Sequence, residues 1–282
     1  MASKMEINIT DDFNLQTIAN SGQVFRVKKI DNNIYRFIIR NHILYINKQS
    51  SGRYNVSCSN DEWYSIWEPY FDLNRNYKSL RESLSSKDGI LHRASNCGQG
   101  IRILKQDPWE TLISFILSQR KSIKATKTSL ESLASKFGKP IITPYETIHL
   151  FPSAIEISKA SPKELEECKL GYRLPYIQDA ANKVMSGEVN LKFIEKDSDI
   201  NLVNTLMQIK GVGCKIANCV GLFSYGRTGL IPTDTWIKKV IDKYYGGNNP
   251  LTSYGANAGI MQQYIFYYAQ NHKKEFLKCR IK

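Results

Sequence analysis

Residues 208–222 read QIKGVGCKIANCVGL. No other stretch constrains the fold as strongly. Leu206, Ile209 and Val212 are apolar, Gly211 and Gly213 flank Val212, and Ile216 and Val220 resume a helical spacing. The pattern predicts helix, tight turn, helix, because glycine permits backbone angles and close approaches that side chains block. The second helix then opens with amide groups that lack partners and suit a phosphate. Lys215 stands in its first turn, where partial positive charge favours an acid instead. On a wheel at about 100° per residue, Lys215 falls between Leu222 and Cys219, beside Ile216, Val220 and Phe223. Partial burial and a helix N-terminus both disfavour an ammonium there, which marks Lys215 as a candidate nucleophile.

The first part of the chain reads as β. YRFIIR (35–40), HILYIN (42–47) and RYNVSC (53–58) are rich in β-branched and aromatic residues, with QSSG as a break. From about residue 61 the pattern turns helical. Asp107, Pro108 and Glu110 form a strong helix start, repeated by Ser161, Pro162 and Glu164. The predicted class is α+β: a small N-terminal antiparallel sheet over 1–70, then a mostly helical body over 71–282. The glycine hairpin occupies about 201–223, and a loop ending at Asp234 occupies about 224–236.

Charge narrows the partners. With 39 Lys+Arg against 26 Asp+Glu, the net charge is +13, which points to a polyanion such as nucleic acid. Arg120, Lys121, Lys124 and Lys127 are spaced as one helical face without an acid, a candidate phosphate-contacting stripe. Lys210, one residue before the hairpin turn, is another phosphate candidate. No apolar run reaches the roughly 20 residues of a membrane span, and the N-terminus lacks a signal-peptide core. An intracellular monomer is expected, in cytoplasm or nucleoid if the source is bacterial. Six scattered cysteines and four isolated histidines form no metal motif. Asp234 precedes the helical TWIKKVIDKYY and reads as an N-cap, a fixed carboxylate that can also serve chemistry.

The pattern around Gly211 and Gly213 resembles the helix-hairpin-helix element, a grip on DNA backbone. GVGCKIANCVGL with IPTDTW is similar to the hairpin, loop and aspartate of DNA base-excision glycosylases, whose bifunctional members carry a lysine after the hairpin and an aspartate 19 residues on. Here 234 − 215 = 19. SGQVFR (21–26), IRILKQDPWETLISFILSQ (101–119), LGYRLPYI (170–177) and GANAGIMQQYIF (255–266) narrow the resemblance to the 8-oxoguanine DNA glycosylase/lyase (Ogg) family, over about residues 12–270.

That resemblance implies a bifunctional glycosylase and β-lyase acting on duplex DNA that carries a damaged base. Lys215 would attack C1′ and form a Schiff base, with Asp234 assisting. The Gly22 carbonyl would accept the N7–H of 8-oxoguanine, Gln262 would pair with the base edge, and Phe266 and Cys219 would sandwich its ring. Tyr172 would wedge into the duplex, with Arg173 close to the opposite base. No metal is required, and the hairpin carbonyls are a candidate site for a monovalent cation.

Two positions depart from the family pattern. QRKS (119–122) stands where eukaryotic members carry an asparagine run that contacts the opposite base. Trp236 stands two residues after the aspartate, where a phosphate-contacting histidine is common. Three alternatives remain at this stage. A monofunctional alkyl-base glycosylase of the same superfamily, which acts on another damaged base, generally lacks the hairpin lysine. An endonuclease III-like enzyme carries a four-cysteine cluster near its C-terminus, where this chain has only Cys279. A non-catalytic DNA-binding protein has no need of Lys215 and Asp234.

Overall fold

β-branched and aromatic residues between 34 and 56 pair into a sheet in the computed structural model, which describes residues 5–84 and 88–277. Strands β1 (Met5–Asn8), β2 (Lys28–Asp31), β3 (Ile34–Ile39), β4 (His42–Ser50) and β5 (Arg53–Val56) form one antiparallel sheet in the order β1-β5-β4-β3-β2. The register sets Tyr35 opposite Ile46 and Phe37 opposite Leu44. The central strands match the three predicted ones. The two edge strands, MEIN and KKID, carry too many polar residues to announce themselves, and pairing with β5 and β3 makes them strands. Trp63, Trp67, Tyr70 and Phe71, from the aromatic helical stretch after the sheet, join Phe37, Leu44 and Ile46 in one core.

The rest of the described chain is mainly helical. Asp107 caps the Pro108–Ser118 helix by accepting from Glu110 N. Ser161 and Glu164 make the predicted capping box. Helices Leu174–Ser186, Asp199–Met207, Cys214–Tyr225, Thr235–Tyr245 and Ala258–Asn271 follow. A second core runs through this body and also takes in Phe25 from the first part of the chain, while the sheet's core takes in Leu104. Cys279 lies outside the described residues.

The predicted basic stripe does not form a single helical face. The Pro108–Ser118 helix ends at Gln119, and a new helix, Ile123–Phe137, starts from Ser122, whose side chain accepts from Ala125 N. Arg120 lies between them in the left-handed region at φ +47°. Arg120 and Lys121 therefore belong to a turn, and only Lys124 and Lys127 are helical. A cap at Ser122 overrides the apparent periodicity because it satisfies amides that a continuous helix would bond elsewhere.

One buried cation fastens the sheet domain to the body. Arg102 is fully buried, with its guanidinium 4.1 Å from the Tyr77 ring centre. It donates to the carbonyls of Phe71, Asp12, Asp72 and Arg75 and to the Asp11 carboxylate at 2.6 Å.

Candidate active site

The hairpin forms as its glycines require. Gly211 sits at φ +79°, and a Cβ there would stand 2.3 Å from the Tyr176 ring, so the turn needs glycine twice over. Gly213 is the N-cap of the Cys214–Tyr225 helix; its backbone is extended, and an added Cβ would meet nothing within 4 Å. A glycine cap has no side chain to cover the first amides of the helix, which leaves them open to an anion. Lys210 is exposed beside this turn, its amide bonded to Asp179.

Lys215 is half-buried, with its ammonium 5.1 Å from the Phe115 ring centre. Phe115 stacks on Phe223 at 5.6 Å and meets Phe25 edge-on. Asp234 caps the Thr235–Tyr245 helix, and its Oδ1 accepts from both Trp236 N and Ile237 N at 2.9 Å. Burial raises the Asp234 carboxyl above its ordinary range, against the Ile237 N–H, the Lys215 charge and the Trp236 N–H, which pull it down. Asn218 donates to Ile231 O and Gly259 N donates to Thr228 O, so the loop before Asp234 is tied to the helices on either side.

Lys215 and Asp234 face a cavity of about 570 Å³ that also receives Gly22, Cys219, Gln262 and Phe266. Cys219 is buried, and burial pushes its thiol up to about 11; the Lys215 charge opposes that rise and Asp234 adds to it. It is thus a neutral face at physiological pH. Gln262 is 3% exposed, and its Oε1 has no hydrogen-bond partner. A buried acceptor without a partner is costly unless something else satisfies it. Gly22 is at φ +79°, in contact with Phe266. Its loop is fixed by Gln23, which bonds Ser21 Oγ, Arg102 O and Leu104 N, and by Gln263, which donates to Ser21 O at 2.7 Å.

The remaining candidates divide. Arg120, Lys121, Lys124 and Trp236 line the same cavity. Lys121 turns its ammonium onto Lys169 O and Ser129 Oγ at 2.8 and 2.6 Å, so it is tied down where Arg120 and Lys124 are exposed. Tyr172, the residue expected to act as a wedge, is 52% exposed. Arg173 is 6% exposed, and its guanidinium donates to the Gln119 and Leu170 carbonyls. Phe115, Gln263, Gln270 and Lys273 also line the cavity, without a counterpart among the sequence-based expectations. Phe115 reads as plain core in an apolar helix, and the others have no local signal.

The hairpin, its lysine and the capped aspartate across a shared cavity define a class, the helix-hairpin-helix glycosylases of base-excision repair. Residues 113–254 match the model described as the HhH-GPD superfamily base excision DNA repair protein. Residues 5–112 match the 8-oxoguanine DNA glycosylase N-terminal domain. The chain belongs to the 8-oxoguanine DNA glycosylase family. A solved MBOgg1 structure with a low-affinity DNA ligand is 37% identical, with TM-score 0.91 and 97% of each chain covered. The Clostridium acetobutylicum 8-oxoguanine glycosylase/lyase, solved with double-stranded DNA containing cytosine opposite 8-oxoG, is 30% identical, with TM-score 0.87 over 97% of this chain and 100% of that one. The N-glycosylase/DNA lyase of Saccharomyces cerevisiae is 38% identical over 160 residues, 52% of this chain but only 42% of the yeast protein.

Proposed function

We propose that this chain is a bifunctional DNA glycosylase/AP lyase that extrudes and excises 8-oxoguanine from duplex DNA. One observation carries the reading: Lys215 and Asp234 face the same cavity as a buried glutamine oxygen with no partner. Solved relatives that act on 8-oxoguanine support the substrate.

Lys215 attacks C1′ as the free amine. The N-glycosidic bond breaks, and its electrons leave with the base, which takes up a proton. Asp234 stabilises the positive charge on the sugar and accepts a proton from the attacking amine. The furanose opens to an imine, which acidifies the 2′ proton; loss of that proton expels the 3′ phosphate, and water then frees Lys215. The Gly22 carbonyl accepts the N7–H that guanine lacks, Gln262 meets the base edge, and Cys219 and Phe266 flank the ring. An enzyme acting at C1′ must hold an extruded nucleotide, and an exposed Tyr172 fills the space left behind.

Lys210, Gly211, Gly213, Lys124 and Trp236 border the path of the phosphates. Arg120 is exposed and free to meet the opposite base, whereas Arg173 must first leave the Gln119 carbonyl to reach it. A metal takes no part in these steps. A monovalent cation on the hairpin would share carbonyls that already serve the protein: Ile209 O accepts from Val212 N, and Gly211 O from Gln119 Nε2. One chain supplies every site residue, which supports a monomer. No helix among the described residues is long and apolar enough to cross a membrane, and a DNA substrate calls for an intracellular enzyme, in cytoplasm or nucleoid if the source is bacterial.

Borohydride trapping tests the reading. Duplex DNA with 8-oxoguanine opposite cytosine yields a covalent adduct with the wild type and none with Lys215→Gln. An adduct that persists in the variant overturns the assignment, and no adduct with no base release leaves a DNA-binding protein. Cleavage indifferent to the opposite base would show that Arg120 and Arg173 do not read it.

A further inference from the structure

Gln119 joins two parts of the DNA-binding face that the sequence keeps 38 residues apart (211 − 173 = 38). Its carbonyl accepts from Arg173 Nε at 2.9 Å, from Arg173 Nη2 and from the Tyr172 hydroxyl at 3.3 Å. Its side-chain Nε2 donates to Gly211 O, at the glycine turn, at 3.2 Å. Gly211 in turn lies against Tyr176, whose ring meets Tyr172 edge-on at 6.2 Å. Tyr172, Gln119, Gly211 and Tyr176 therefore close a ring of contacts. The next residue, Arg120, is held in the left-handed region, a strained conformation that persists only where neighbours over-determine it. Here Gln119 is tied on one side, and Lys121 is anchored to Lys169 O on the other.

We infer that Gln119 is a positioning residue that couples the backbone grip of the hairpin to the aromatic wedge. Docking of phosphate at Gly211–Gly213 fixes Gln119, and Gln119 fixes Tyr172 through its carbonyl. Backbone binding and base extrusion thereby become one event. The inference rests on the glycosylase reading above. It assigns Gln119 to extrusion alone, with no part in the chemistry at C1′.

Gln119→Met keeps the length of the side chain and loses the donor; Gln119→Glu keeps the shape and sets an acceptor against Gly211 O. Both leave the backbone carbonyl in place. Three measurements are made on each full-length variant: single-turnover excision of 8-oxoguanine from duplex, fluorescence of 2-aminopurine opposite the lesion, and borohydride trapping on a preformed abasic site. Loss of one neutral hydrogen bond predicts excision slower by about three- to tenfold. The fluorescence rise on binding shrinks in parallel, and abasic trapping keeps its wild-type rate because no base has to leave the stack. Unchanged excision and fluorescence overturn the inference, as does abasic trapping that falls as far as excision. If the wild type traps no abasic DNA, the glycosylase/lyase reading fails instead.

Discussion

Gly22 and Phe266 touch so closely that a methyl group on Gly22 would stand 2.7 Å from the Phe266 ring. The contact joins the first part of the chain to its last long helix and sets one wall of the cavity. Gly22 also occupies the left-handed region at φ +79°. Gly22→Ala therefore has to push Phe266 into the cavity, the proposed seat of the base, or shift the loop held by Gln23 and Gln263. Displacement of about 1 Å can cost about 100-fold in rate, and that is the expected fall in 8-oxoguanine excision. Trapping on a preformed abasic site, which needs no base pocket, keeps most of its rate. Equal losses on both substrates would mean that Gly22 shapes the fold rather than the base site.

Asp234 caps a helix and, in the proposed mechanism, also stabilises the sugar cation, and one substitution separates the two roles. Asparagine caps helices as well as aspartate does, so Asp234→Asn keeps the bonds to Trp236 N and Ile237 N. It loses the carboxylate, and excision should fall by about 10²- to 10⁴-fold. The carboxyl is raised above its ordinary value of 3.8, chiefly by burial. Since the proposed mechanism uses the ionised form, wild-type excision is expected to decline as pH falls through this raised pKa, on an acid limb standing above 3.8. Stability runs the other way: the folded state binds more protons than the unfolded state between 3.8 and the raised value, so this group's contribution weakens as pH rises through that window. Asp234→Asn removes both dependences. A pH–rate profile and melting curves across the same range check each, and a variant with unaltered excision would remove Asp234 from the chemistry.

What the sequence reveals here follows the range of the interaction. Caps at Asp107, Ser161 and Asp234 depend on three or four neighbouring residues and are legible. So is the lysine after the glycine turn, because helix and turn fix its surroundings locally. The stripe from Arg120 to Lys127 misleads because charge spacing imitates a helix, and only the Ser122 cap and the tertiary bonds of Gln119 and Lys121 break it. Arg173 is expected beside the opposite base, yet the carbonyl that takes its guanidinium lies 54 residues earlier and no local pattern announces it. Phe115 beneath Lys215 and the orphaned oxygen of Gln262 depend on helices packed from distant parts of the chain.

The lysines near the cavity and the hairpin turn provide a quantitative contrast. Lys210 and Lys124 are exposed, whereas Lys121 bonds Ser129 Oγ and Lys169 O. Each phosphate contact removed should lower the slope of log K against log salt by about 0.9. Lys210→Gln and Lys124→Gln are expected to do so individually. Lys121→Gln should leave the slope within error and lower the melting temperature instead. Titrations of duplex binding at four salt concentrations decide it, and a full unit lost with Lys121→Gln would show that its ammonium swings out to the DNA.

Arg102 tests how the two parts of the molecule are held. Five acceptors, from residues 11, 12, 71, 72 and 75, converge on one guanidinium with no exposed surface. A lysine ammonium has three donors on a single atom and cannot reproduce a planar fork. Arg102→Lys should therefore strand at least two buried carbonyls, at about 1–3 kcal/mol each. For a protein of this size each kcal/mol lowers Tm by about 2–4 °C, so a fall of about 10 °C is expected. Gln23 bonds the backbone carbonyl of residue 102, so the loop that carries Gly22 is held by main chain and survives the change. Folded Arg102→Lys protein at low temperature should then trap abasic DNA at close to the wild-type rate. A melting temperature within about 2 °C of wild type, roughly a fifth of the fall that this scaling predicts, would show that water replaces the missing donors and that the sheet domain is held by its apolar contacts alone.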